Sequence, residues 1–365
     1  MCLLPNASSF GMAVSTAMIF GLVSLMFLDT SINMAMQPFK MMVGDMVNEK
    51  QKGLAYSIQS FLCNAGSLVG FLFPFIFTWI GISNIAPQGV VPDSVIYSFY
   101  IGAAILILCV IYTTVKVKEM PPAEYAEYHG ITEEEKKEKI NMVKLLVKAP
   151  KAFWTVGLVQ FFCWFAFMFM WTYTNGSVAA NVFDAPTVET VVNGANKVVL
   201  DTKSIQYQNA ADWVGVLFAV QAIGSVLWAV CIPMFKNRKL IYSLSLVLGG
   251  IGFISTYFVH NQYVLFISFL LIGCAWAAML ALPFTILTNA LSGGHMGTYL
   301  GLFNGTICIP QIVAATLGGS ILALFTPKGM LPPEINMLVM AGVMLIIGAV
   351  CVYLIKETKG EQAKA

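Results

Sequence analysis

Residues 263–290 read YVLFISFLLIGCAWAAMLALPFTILTNA, and none of them is charged. A helix needs about 20 apolar residues to cross roughly 30 Å of hydrocarbon, and this run is long enough to do so alone. It is preceded by a short polar connector, His260-Asn261-Gln262. Working outward, similar runs lie at 11–33 (with a polar-studded extension to Met46), 54–82, 95–115, 152–175, 212–235, 240–259, 298–324 and 335–355. The pattern predicts an all-α membrane protein with about nine transmembrane helices. Composition agrees: 58% of the chain is hydrophobic and 10% charged, whereas soluble domains carry about 25% charged residues. There are too few charges to coat the two or three cores that a soluble chain of 365 residues would need. A net charge of +2 gives no basis for nucleic-acid binding.

Charge placement supports the span count. If the spans alternate, one set of connectors holds Lys40, Lys50 and Lys52, the lysines from Lys116 to Lys151, then Lys236, Arg238, Lys239, Lys356, Lys359 and Lys364. The opposite set holds only Lys197, Lys203 and Lys328 of the 20 basic residues. The positive-inside rule puts the lysine-rich connector at 116–150 and the C-terminus in the cytoplasm. One missed helix would scramble that bias. The expected organisation is an incomplete N-terminal bundle over 1–115, a cytoplasmic loop over 116–150, a six-helix bundle over 151–356 and a tail over 357–365. Within the loop, Glu133–Lys139 is expected to form a solvated helix. The connector at 176–211 is charge-poor and rich in Asn, Thr, Ala and Val. Many transporters join two related six-helix halves. Three spans before the long loop and six after it lead us to expect a twelve-helix parent with three helices ahead of Met1.

An ionisable side chain inside a span is costly and is a functional candidate by default. Asp29 is the carboxylate well inside an apolar run. At about 100° per residue, Asp29, Asn33 and Lys40 fall within about 40° of one another, with Gln37 on the shoulder. Such a polar stripe is expected to face the bundle interior, and Pro38 to kink the helix. Asp29 and Lys40 stand about 16 Å apart along the axis, too far to pair directly. We expect Asp29 to carry a coupling proton and Lys40 to balance charge nearer the cytoplasmic end, where it could also snorkel to the interface. Asp45 is expected to be a structural ion-pair member.

Further polar and aromatic groups sit at membrane depth: Gln59, Asn64, Gln160, Trp164, Trp171, Tyr173, Asn175, Gln221, Trp276, Thr285, Asn289, Asn304 and Gln311. Amides that bond hydroxyls and indoles that stack on ring faces suit a neutral sugar. An anionic solute would call for buried arginine, yet Arg238 is the lone arginine and lies in a connector. Amides also hold helices together, and Trp or Tyr near span ends anchor at the interface, so each residue taken singly has a structural explanation. Pro74, Pro283 and Pro310 are expected to interrupt their spans beside a cavity. The cysteines from Cys63 onward lie singly in apolar runs with no CxxC, which gives neither a disulfide framework nor a metal site. No motif calls for a cofactor.

The segment Phe27–Lys52, FLDTSINMAMQPFKMMVGDMVNEKQK, resembles the fourth helix of sucrose/proton symporters of the major facilitator superfamily. That helix carries LD-x-x-x-N, then a proline, a basic residue and an acid before the cytoplasmic loop. Asp29, Asn33, Pro38, Lys40 and Asp45 match in order. Trp171-Thr-Tyr-Thr resembles the end of the seventh helix, Leu280-Ala-Leu-Pro283-Phe284 the tenth, and Gly301-Leu-Phe-Asn304 with Ile309-Pro310-Gln311 the eleventh. The resemblance implies a major facilitator-type bundle, monomeric, in an inner or plasma membrane, taking up sucrose, maltose or a related glycoside together with a proton. It associates the acid at 29 with proton coupling and the basic residue with substrate or gating. Lys40 stands where the family usually has arginine, which removes the bidentate fork. Two other readings compete: a sensor or remnant that does not transport, and a polytopic transferase. The transferase lacks support because the outward connectors carry no basic cluster for an activated phosphate donor.

Overall fold

The computed structural model describes residues 14–47, 52–82, 91–118, 121, 124, 142–192, 195–235, 237–290, 296–327 and 329–355. The expected helix at Glu133–Lys139 and the tail at 357–365 lie outside them. Nine long helical segments account for the predicted spans: α1 (Val14–Met46), α2 (Lys52–Trp79), α3 (Asp93–Lys116), then, after the short α4 (Met142–Val147), α5 (Lys151–Asn181), α6 (Ile205–Cys231), α7 (Arg238–Ser255), α8 (Leu265–Ala290), the pair α9 (Met296–Phe303) and α10 (Gly305–Phe325), and α11 (Ile335–Cys351). Among the described residues eight helices are long and apolar enough to cross a membrane, and α2 contributes a shorter apolar stretch, Phe61–Phe73. Their outward faces carry large apolar side chains such as Leu108 and Ile111 on α3, Leu227 on α6, Ile267 on α8 and Ile312 on α10. Such exposure suits lipid, and a helix satisfies its backbone groups without water.

The chain divides into two units, one of residues 1–56 and 69–139 and one of 57–68 and 140–365. In the first, Phe77 is buried and packs between Phe73 and Tyr97, with ring centroids 5.8 and 6.5 Å away. In the second, α5 is the central helix, packed on α6, α8, α10 and α11. Lipid tails are as apolar as leucine, so helices associate through close packing of small residues. Gly249 of α7 lies on Ala275 of α8, Gly250 on Gly342 of α11, and Gly273 of α8 on the α6 backbone at Gln221 and Ser225. Local caps set two starts: Ser204 Oγ accepts from the Tyr207 N–H at the head of α6, and Asn237 Oδ1 from the Leu240 N–H at the head of α7.

The structure corrects two sequence expectations. The span expected to end at 175 runs on into the connector, which also carries two strands. α5 continues to Asn181, and strands β1 (Thr187–Val192) and β2 (Ala195–Leu200) pair antiparallel, with Thr187 opposite Leu200 and Val192 opposite Ala195. Strands rich in β-branched residues on either side of Asn193-Gly194, a two-residue hairpin signal, explain the pairing. The second correction concerns the prolines. α8 runs unbroken through Pro283, α10 through Pro310 and α2 through Pro74. The interruption lies at Asn304, between α9 and α10. There the Asn304 N–H still bonds back to Leu300 and its carbonyl accepts from Ile307 and Cys308. Pro310 leaves the Thr306 carbonyl without its N–H partner, yet α10 runs on through both residues.

Candidate functional site

In the first unit, α1 is continuous over the whole Asp29–Lys40 stripe, Pro38 included. Asn33 Nδ2 donates to the Asp29 carbonyl oxygen at 2.9 Å, one turn back, so the amide is held by backbone and not by the Asp29 carboxylate. Asp29 is exposed and Asn33 half-buried. Among the described residues α1 makes no extensive packing contact with another element. The side chains of Gln37, Pro38, Lys40 and Asp45 lie outside the described ones.

In the second unit, helical spacing sorts the α5 candidates. Gln160, Trp164, Phe167, Trp171 and Asn175 fall within about 80° of one another at 100° per residue, on one stripe. Tyr173 lies on the opposite side. Gln160 is fully buried, and its Nε2 donates to the Met279 carbonyl of α8 at 3.0 Å. Above it on the stripe, three indoles meet: Trp276 of α8 lies 5.7 Å from Trp164 and 5.8 Å from Trp171, and those two are 6.3 Å apart. Phe167 closes the group at 4.9 Å from Trp276. Trp164 is buried while Trp171 is 41% exposed, so the group opens at Trp171. Gln160 Oε1 and Trp164 Nε1, one turn apart, are buried with no hydrogen-bond partner. One is an acceptor and the other a donor, and leaving both unmet costs about 1–3 kcal/mol each.

The remaining candidates do not join this group. Asn175 Nδ2 donates to the Tyr207 hydroxyl at 2.8 Å, tying the end of α5 to α6, and its Oδ1 is buried without a partner. Tyr173 packs edge-on to Phe169, with its hydroxyl against Gly318 of α10. Gln221 is buried on α6 with Nε2 unpartnered. One turn further along α6, Ser225 Oγ donates to Asn64 Oδ1 of α2 at 3.2 Å, and Gln59 is half-buried in that same α2 segment. Asn304 sits at the α9–α10 break with its Nδ2 toward Cys308 Sγ at 3.8 Å, and Gln311 is half-buried on α10. The Asn289 side chain lies outside the described ones. Pro283 and Pro310 are both buried. Trp164 and Trp276 prove more central than the span-end aromatics, and their signal in the sequence was tryptophan at mid-span, away from either interface. Among the described residues no group of three or more His, Cys, Asp or Glu side chains is placed to hold a metal.

The sequence model of the Major Facilitator Superfamily matches residues 1–199 and 178–365. The chain belongs to the major facilitator superfamily. As a member it is a multi-pass membrane protein and a secondary transporter in general, acting on a small-molecule substrate. No individual curated protein matches it. Within this major facilitator protein the α5–α8 aromatic group is the place where described side chains combine a stacking surface with unmet hydrogen-bonding capacity.

Proposed function

We propose that the chain takes up a neutral sugar or glycoside, sucrose or maltose among the candidates, together with a proton by alternating access. The observation that carries the reading is the unpaired Gln160 Oε1 and Trp164 Nε1 beside three indoles. A hydroxyl group donates to one and accepts from the other, while the C–H face of a sugar ring stacks on the indoles. Both atoms are shielded in this state, so a transporter meets its solute there only after a rearrangement of α5 and α8. An anionic solute fits poorly, because Arg238 is the sole arginine and stands at the head of α7. On the N-terminal side Asp29 is the proposed proton carrier, with Asn33, Gln37 and Lys40 along the same face of α1.

The test is uptake by the full-length protein in liposomes. A neutral disaccharide should accumulate in response to an inward proton gradient. Trp164→Phe keeps an aromatic face but removes the donor and part of the indole surface, and loss of a net 1–1.5 kcal/mol hydrogen bond alone should weaken apparent affinity about tenfold. Uptake of an organic anion or nucleotide in place of the sugar would sink the assignment.

The proposed orientation, with the C-terminus cytoplasmic in an inner or plasma membrane, has its own test. Cysteine labelling of intact cells should leave positions 134 and 361 shielded and position 193 reachable. Labelling of position 134 from outside would reverse the orientation.

A further inference from the structure

Glu334 precedes the first residue of α11 and does not cap its own helix. Its carboxylate lies instead against Gly176 of α5, where a Cβ would overlap both carboxylate oxygens. The two helices run antiparallel, with Gly348 on Phe162 toward their other end, so the carboxylate is held where a long, tight helix pair closes. α5 has 31 residues, or about 46 Å at 1.5 Å each, more than roughly 30 Å of hydrocarbon requires. Its last turns therefore stand beyond the hydrocarbon, within reach of water. The Tyr173 hydroxyl, admitted by Gly318 of α10, lies close enough to feel the Glu334 charge.

Among the described residues no cation is paired with Glu334, and no hydrogen bond or ion pair reaches its carboxylate. Of the helices packed on α11, α5 carries one charge, Lys151 at its opposite end, and α10 carries none. α7 carries Arg238 and Lys239 at its head, and the bond from Ser243 Oγ to the Ala349 carbonyl places that head beside the far end of α11. Asp184 and His260, beyond the ends of α5 and α7, are exposed. Lys328 lies outside the described residues. Glu334 is half-buried; a carboxylate that has lost part of its water and has no cation beside it is relieved by a proton, and burial pushes its carboxyl up from 4.5 to about 7.

We propose that Glu334 is a proton-binding site in its own right, separate from Asp29, protonated while the α5–α11 contact at Gly176 is closed and ionised when that contact opens to water. Between the ordinary carboxylate range and about 7, the closed form holds more protons than the open one. Raising the pH through that window therefore loosens the contact, and lowering it tightens the contact. The site couples external pH to the packing of a helix pair and needs no solute to do so.

The test is infrared difference spectroscopy of the full chain in lipid nanodiscs, titrated from pH 5 to pH 9 without substrate. A protonated-carboxyl band should disappear with a midpoint near pH 7 and be absent from Glu334→Gln. Gly176→Ala should push the carboxylate into water and lower the midpoint toward the ordinary carboxylate range. The wild-type and Gln titrations decide the matter even where the Ala variant does not assemble, because glutamine keeps the volume. A wild-type midpoint below about 5, or a band that survives in Glu334→Gln, overturns the proposal. Because no solute is present, the result is independent of whether the protein carries a sugar.

Discussion

Asp29→Asn in the full-length protein should abolish gradient-driven accumulation, bringing internal solute down to the external level. Exchange between equal concentrations on the two sides should persist. The substitution keeps the shape of the side chain and removes only its ability to titrate. It also leaves the neighbouring geometry intact, since Asn33 is held by the Asp29 carbonyl and not by its carboxylate. Insertion gives no objection: an Asp at mid-span costs roughly 2.5–3.5 kcal/mol, so a neutral residue should enter the bilayer at least as well. Loss of accumulation at normal membrane levels thus points to the coupling step. A structural role predicts the reverse pattern, with the Asn variant accumulating normally and Asp29→Leu poorly expressed. Full proton-driven accumulation by Asp29→Asn would end the proposal for this residue.

The second large effect concerns assembly of the C-terminal unit. Gly273→Leu should destabilise it by about 3 kcal/mol or more, the upper end of the overpacking range, equivalent to roughly 100-fold in the folding equilibrium at 1.4 kcal/mol per tenfold. A Cβ at 273 meets the Gln221 carbonyl oxygen, the Ser225 nitrogen and the Gly224 carbonyl carbon. All three belong to the α6 backbone, which has no rotamer to change. Gly224 makes the reciprocal approach to the backbone of Leu270. Holding α6 away from α8 also moves Ser225, and with it the bond to Asn64. Gly319→Leu is the control, because nothing lies within 4 Å of a Cβ there. Thermal melting in detergent should separate the two variants widely. A Gly273→Leu melt equal to that of the parent would mean that α6 and α8 do not approach so closely.

Much of the architecture was legible in the primary structure, because spanning a bilayer is a local property. A run such as 263–290 needs no distant residue to be apolar, and the lysine bias needs only the order of the connectors. The helical stripe of Gln160, Trp164 and Trp171 likewise follows from a period of 3.6. The hairpin was not read from the sequence: β-branched residues flank Asn193-Gly194, but a charge-poor connector between two spans hides such a signal among loop-forming residues. The proline positions misled, because Pro74, Pro283 and Pro310 are all accommodated inside continuous helices.

Other features depended on neighbours far away in sequence. Trp171 and Tyr173 are two residues apart, yet one joins the indole group on α8 and the other packs on Gly318 of α10. Which helix lies on each side of α5 is decided by small-residue contacts at 249, 250, 273 and 342, and a glycine does not announce its partner. The sequence alone determined that this chain is a bundle of spanning helices, that its lysines gather on one set of connectors, and that Asp29 lies within an apolar run. Tertiary structure decided that two buried polar atoms stand unpaired beside three indoles. It also decided that Glu334, an ordinary connector acid by position, lies half-buried against Gly176, where the close approach of two helices takes away part of its water.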